Sequence, residues 1–307
     1  MPSLAPRDPC PDHPNSIGRR ALWRAPRLML ALALFAAPLP AGAAADPHAT
    51  QNTLLHIAAR SGDAEIVSEL LEQGADPDVP DVGRNTPLHR AAKNGHAGVA
   101  ERLLAAGASP DRKNRKLDTP LYLAAEEGEL EVVAVLVAGN AAIEIRNRFG
   151  ITPLGIAAFS GHKDVVMHLL DQGADPRTAD DNGNTPLHFA AREGHPEIVA
   201  LLLERSVEVD ARDEGGATAL DRAIRHNQLE ITTALLDAGA DVNSRDKNMN
   251  SPMLMAAQRG YMEIAVLLLE RGAELNAKDS RGNTPLRRAR IKKRLEMVKF
   301  LEERGGR

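Results

Sequence analysis

Histidine is the side chain in this 307-residue chain best suited to acid–base or metal chemistry, and six of the ten histidines fall into two columns. His56, His89 and His188 each stand three residues after a Thr, while His96, His162 and His195 each follow a Gly directly. Within a column the spacing is 33 residues or a multiple of it. Zinc needs its nitrogen ligands about 2.0–2.1 Å from one ion, whereas helices stacked side by side lie about 8–10 Å apart. Equivalent histidines in neighbouring units are therefore too far apart to share a metal, and we expect them to hydrogen-bond turn backbone within and between units.

No His-Glu-x-x-His pair, nucleophile elbow or glycine-rich phosphate loop after a strand is present. The loop Asp180-Asp181-Asn182 lacks the downstream Glu of a calcium-binding loop. The single cysteine, Cys10, excludes an intramolecular disulfide framework and any cysteine-based zinc cluster. The expectation is a chain with no catalytic residue, no cofactor and no metal.

Elements that could position any site must be built with few aromatics, which make up only 3% of the chain against 43% hydrophobic residues overall. Leu, Ile, Val and Ala have to supply the core. Residues 1–45 stand apart. Arg19, Arg20, Arg24 and Arg27 precede the apolar run Leu28–Ala37, and Ala41-Gly42-Ala43-Ala44-Ala45 follows. A basic flank, a short apolar stretch and an Ala-x-Ala site form the layout of a secretory signal peptide. The run is shorter than the roughly 20 apolar residues a bilayer span requires.

Cleavage is expected after Ala43 or Ala45, giving a mature chain with no membrane anchor. Arg19-Arg20 also fits part of a twin-arginine export motif. The Ala-, Arg- and Pro-rich leader points to a bacterial source, hence to the periplasm or the medium. Losing the leader removes five basic and two acidic residues, leaving 33 against 40 and a net of −7. That balance argues against a general nucleic-acid binder.

From residue 46 onward a Thr or Ser recurs at 53, 86, 119, 152, 185, 218, 251 and 284, always at an interval of 33. The fullest copies read NTPLHRAAKNGHAGVAERLLAAGASPD and NTPLHFAAREGHPEIVALLLERSVEVD. Thr185 suits a helix N-cap, Pro186 the first helical position, and Gly194 a left-handed helix end. Ala190-Ala191 allows close helix approach, and Ile198, Val199, Leu201 and Leu202 form the inner stripe of a second helix. Gly closes that second helix in most copies, with Asn140 and Ser206 in two of them. The first copy has Leu54 in place of Pro, and the last retains Leu295, Val298 and Leu301 for its inner stripe.

With its Thr-Pro-Leu-His, Ala-Ala, Gly-His and Leu-Leu columns, the sequence resembles the ankyrin repeat family over about residues 48–307. The fold expected is an all-α solenoid of eight 33-residue helix–turn–helix repeats joined by hairpin-like loops. The repeats fall near 48–80, 81–113, 114–146, 147–179, 180–212, 213–245, 246–278 and 279–307, in a domain spanning 46–307.

The resemblance implies protein–protein recognition by a surface of loop tips and first-helix faces. On that surface Arg115, Lys116, Arg148, Phe149 and Ile151 fall at tip positions, and Phe159, Arg192 and Arg225 on first helices. Aromatics beside Arg are what binding hot spots contain. The expected protein is a monomeric, non-enzymatic, exported binding module whose partner is another protein, such as an envelope enzyme it stabilises. The alternative is a secreted effector that binds a eukaryotic host protein.

Overall fold

Thr can start a helix only where the chain before it is not already helical, and Pro in the next position enforces this by disfavouring helical backbone in the residue before it. The computed structural model describes residues 47–205 and 207–307, so the expected leader (1–45) and Ser206 lie outside the described residues. Thr50–Arg307 form one unit, and among the described residues there are sixteen helices and no strand. None of these helices is long and apolar enough to cross a membrane.

Seven first helices begin where the periodic Thr or Ser places them. From Thr86 to Thr284 each N-cap is extended, with φ between −84° and −97° and ψ between 163° and 171°. The first repeat departs from this pattern. Its helix runs Pro47–Ser61, so Thr53 lies inside it rather than at its start. The missing Pro is not the whole reason, since the sixth repeat has Ala219 there and still starts on time after Thr218. That repeat keeps the hairpin Asp213–Ala217, closed by a bond from the Asp213 N–H to the Ala217 carbonyl (3.0 Å). Residues before Thr53 contain neither turn glycine nor Pro at the junction, so nothing interrupts the helix upstream.

First helices pack on first helices of the adjacent repeats, and second helices likewise on second helices. The Ala pairs Ala91-Ala92, Ala124-Ala125, Ala157-Ala158, Ala190-Ala191 and Ala256-Ala257 are fully buried and let the first helices close up. On the second helices Ile198, Val199 and Leu202 are buried while Leu201 is only partly covered. Burying each such large aliphatic side chain contributes about 1.5–3 kcal/mol. The last repeat corrects one expectation: its buried stripe is Met297, Phe300 and Leu301, and Leu295 is 78% exposed. Leu295 opens the helix Leu295–Glu303, where its side chain faces away from the preceding repeat's helices. Asn140, at a second-helix end, adopts the left-handed φ of 62° expected of it.

The histidine columns bind backbone on both sides, as expected. The backbone N–H of Thr86 donates to Nδ1 of His89 (3.0 Å), and Nε2 of His89 reaches the Asp118 carbonyl in the next repeat (3.1 Å). Thr185, His188 and the Ala217 carbonyl repeat the arrangement at 3.2 Å and 3.2 Å. Since Nδ1 accepts, the proton sits on Nε2, and each imidazole joins two repeats in its neutral form. His56 reaches Val79 the same way (3.0 Å), but its buried Nδ1 has no partner, because Thr53 is inside a helix instead of capping one. The second column points backwards: His96, His162 and His195 meet the carbonyls of Arg60, Glu126 and Phe159 at 3.0, 2.9 and 3.1 Å. Gly161, at φ +86°, must lack a Cβ, since one built there would sit 2.5 Å from the His195 ring.

Asp221 occupies the His89 position in the sixth repeat. Its Oδ2 accepts the Thr218 N–H (3.0 Å), but its buried Oδ1 has no partner. Burial pushes this carboxyl up to about 6, against the attraction of the Thr218 N–H and Arg225. Burial pushes His89 down to about 4, and lowers His188 as well. The folded chain therefore binds fewer protons at His89 than the unfolded chain between about pH 6.5 and 4, and loses stability as pH falls through that window. Asp221 acts oppositely, holding a proton in the fold that the unfolded chain has released, so its contribution is lost as pH rises from about 3.8 to 6.

Two outcomes follow for unfolding by denaturant. His188→Ala should cost about 2–4 kcal/mol by leaving the Thr185 N–H buried without a partner, removing one of the two bonds to the Ala217 carbonyl and opening a cavity. Asp221→Asn should stabilise the fold at pH 7 by up to about 2 kcal/mol, with the gain shrinking toward pH 4. An Asn variant less stable than the parent at pH 7 would contradict this assignment.

Candidate partner-binding surface

Each hairpin is held by a buried or half-buried Asp or Asn whose side chain accepts backbone N–H groups across the turn. Oδ1 of Asn114 takes the N–H groups of Lys116 (2.8 Å) and Asp118 (3.0 Å), and Oδ1 of Asn147 those of Phe149 (2.9 Å) and Ile151 (3.2 Å). Adjacent tips are then tied by one backbone bond per junction. Arg115 donates to Gly83 (3.0 Å), Arg148 to Lys116 (3.2 Å), Asp181 to Phe149 (3.1 Å) and Glu214 to Asn182 (2.8 Å). Lys247 and Ser280 continue the series to Gly215 and Asn248, both at 3.0 Å. Tip residues of successive repeats are thereby placed side by side.

Seven of the eight expected partner-binding residues fall in three places. Arg115, Lys116, Arg148 and Phe149 line one groove of about 350 Å³, over Tyr122 and Leu123. Phe149 is 51% exposed, and the Arg148 guanidinium lies 4.7 Å from its ring centre. Phe159 and Arg192 form a second cluster. The Phe159 ring meets Phe189 of the next repeat edge-on at 5.9 Å, with the Arg192 guanidinium 5.9 Å from its face. Phe159 still leaves 36% of its surface open. Arg225 belongs to neither cluster; it pairs with Asp246 (3.2 Å) and lines a cleft with Asn248 and Arg259.

Ile151 is not at the tip. It is half-buried against the core, and its carbonyl accepts the Asn147 N–H (3.0 Å), which closes the base of the hairpin. Its position corresponds to Asn85 and Asn184 in other repeats, one residue before the N-cap. Backbone pairing there turns the side chain toward the helices.

Charge on the surface follows a rule that column reading by residue type missed. Asp81, Asp213 and Asp279 are each bonded to the Arg nine residues later, Arg90, Arg222 and Arg288. Burial pushes these carboxyls up, but Asn85 and Arg90, the Ala217 N–H and Arg222, and Asn283 and Arg288 more than offset it, so all three lie below the ordinary carboxylate range. In the third and fourth repeats the carboxylate is replaced by Asn114 and Asn147, and the residue nine later is Leu123 and Ile156. Phe189 holds that place in the fifth. The position is thus apolar in the third, fourth and fifth repeats and again at Met255 of the seventh, and cationic in the second, sixth and eighth, which an Asp-x8-Arg spacing in the sequence marks.

Backbone conformation marks a further residue. Gly150, Gly183, Gly216 and Gly282 adopt φ of 75–79° at the fourth hairpin position, whereas Arg84, Leu117 and Met249 hold it at φ 58–62° in the second, third and seventh repeats, with Leu117 42% and Met249 47% exposed. An L-residue in this conformation costs roughly 1–2 kcal/mol. Among the described residues no three His, Cys, Asp or Glu side chains stand together as a metal site.

Stacked antiparallel helix pairs with hairpins tied tip to tip define a repeat solenoid of the helix–turn–helix class. The family model for ankyrin repeats (3 copies) matches residues 29–114, 111–180 and 167–246, and that for ankyrin repeats (many copies) matches 235–289. The chain belongs to the ankyrin repeat family. No curated protein matches it. Leu117→Gly should raise the unfolding free energy by about 0.5–1 kcal/mol, read by denaturant titration; a loss of stability would show that the Leu117 side chain serves the fold.

Proposed function

We propose that this chain is an exported, monomeric binding module that engages another protein through the hairpin tips and first-helix faces of its middle repeats. Ankyrin repeats are typically non-enzymatic interaction modules, and the expected action here is binding alone, as partner, inhibitor or stabiliser of an envelope enzyme. One observation carries the reading: Phe149 and Phe159 stay 51% and 36% exposed, each with an Arg against its face, although Phe159 also packs edge-on against Phe189. Large apolar side chains rimmed by cations are the usual anchors of an interface.

Export rests on the leader pattern of residues 1–45. A mature protein beginning near Asp46 is the expected result of N-terminal sequencing, and an exported protein retaining Met1 would contradict it. Recovery from the envelope supports the periplasmic partner; recovery from medium or host cells supports the effector alternative. For the binding surface, Phe149→Ala with Phe159→Ala should weaken capture of the partner from envelope extract by about 2 kcal/mol or more, roughly thirtyfold. Unchanged capture by a variant of normal stability would move the interface elsewhere.

A further inference from the structure

Basic and apolar groups meet at the tips of the third and fourth repeats in a way the fold does not need. Of the five cations lining the groove, Arg90 is bonded to Asp81 and Lys93 to Glu127 (3.4 Å). Arg115, Lys116 and Arg148 are exposed and form no ion pair. Neither of the two acids in the lining forms an ion pair with them, though the charge of Lys116 reaches Glu126. Asp118 is buried, and its oxygens take the side-chain amides of Asn147 (3.3 Å) and Asn114 (3.4 Å). Glu126 lies on the first helix of the third repeat, across the groove from the tips.

Beside the free cations stand two of the exposed apolar tip residues, Phe149 at 51%, which lines the groove, and Leu117 at 42%, next to Lys116 in the hairpin. Leu117 holds a left-handed backbone that glycine occupies in four other hairpins and that Arg84 and Met249 share in two more. Arg148 stacks on the exposed Phe149 ring, and no carboxylate among the described residues pairs with Arg115, Lys116 or Arg148.

Resting on the binding function proposed above, the geometry points to the chemistry of the partner: we infer that this groove takes an acidic segment of the partner protein carrying an apolar side chain. Carboxylates of the segment meet Arg115, Lys116 and Arg148, of which the two Arg can form paired bonds to a carboxylate. The apolar side chain of the segment sits beside Phe149, over Tyr122 and Leu123. Association should weaken with salt, since the cations are on the rim.

The test uses the full chain and a labelled peptide of Asp and Glu around a single Leu, followed by fluorescence polarisation. Its Lys counterpart and the same acidic peptide without Leu serve as controls. Saturable binding of the first peptide is expected, weaker binding without Leu, and none by the Lys counterpart. Arg115→Glu with Arg148→Glu should lower affinity about tenfold or more, and Glu126→Gln should raise it. Arg115 has no side-chain bond among the described residues and Arg148 only stacks on the exposed Phe149 ring, so the charge-reversed variant should unfold close to the parent's denaturant midpoint.

Equal binding of acidic and Lys peptides, no saturable binding, or unchanged affinity in the charge-reversed variant would overturn the inference. Capture from envelope extract separates the two levels of the argument. Capture lost with the Phe149/Phe159 variant but untouched by charge reversal refutes the acidic segment and leaves the binding function standing; capture untouched by both refutes each.

Discussion

The last carbonyls of a helix have no partner within it, and in this stack the next repeat supplies the donor. His96, His162 and His195 reach back to Arg60, Glu126 and Phe159, and Arg294 reaches Gln258 at 3.4 Å. The other histidines reach forward from the start of a first helix to the base of the next hairpin. A repeat of this length cannot bury both faces alone, so its register with its neighbours must be fixed by directional bonds as well as by packing. Insertion of one residue would move every donor off its carbonyl, which accounts physically for an unbroken interval of 33.

The same constraint frees the opposite surface. Hairpins are closed by Asp or Asn side chains and tied by a single backbone bond per junction, so the two or three residues at each tip carry no structural load. Their side chains can vary from Arg115 to Phe149 to Asn182 without altering the framework. Asp–Arg pairs at nine-residue spacing place a guanidinium on this surface in the second, sixth and eighth repeats, while Leu123, Ile156, Phe189 and Met255 hold the same position in the third, fourth, fifth and seventh.

Much of this architecture is legible in the sequence, and the exceptions have physical causes. The Thr-Pro-Leu-His and Gly-His columns give the helix starts, the left-handed turns and the histidine bonds, since each depends on local stereochemistry. The first repeat is misread because Thr53 resembles an N-cap in type, while the absence of a preceding hairpin decides the helix start. Leu295 is misplaced for a related reason: the first position of a second helix lies at the margin of its apolar stripe, and Leu130 and Leu229 there are exposed as well. On the surface, Ile151 belongs to the closing pair of its hairpin, and Arg225 is drawn to Asp246 of the following repeat; neither is visible without the pairing. Leu117 went unnoticed because its side chain is ordinary and only its backbone is not.

The claim on which the rest depends is that neutral imidazoles, protonated on Nε2, lock neighbouring repeats together. Nitrogen-15 NMR of the histidine rings tests it most directly. The expected spectrum shows His89 and His188 as the Nε2–H tautomer, with His89 still uncharged at pH 5, well below the ordinary histidine range. Rings that exchange between tautomers, or that titrate near 6.5 as an unconstrained histidine does, would contradict the account.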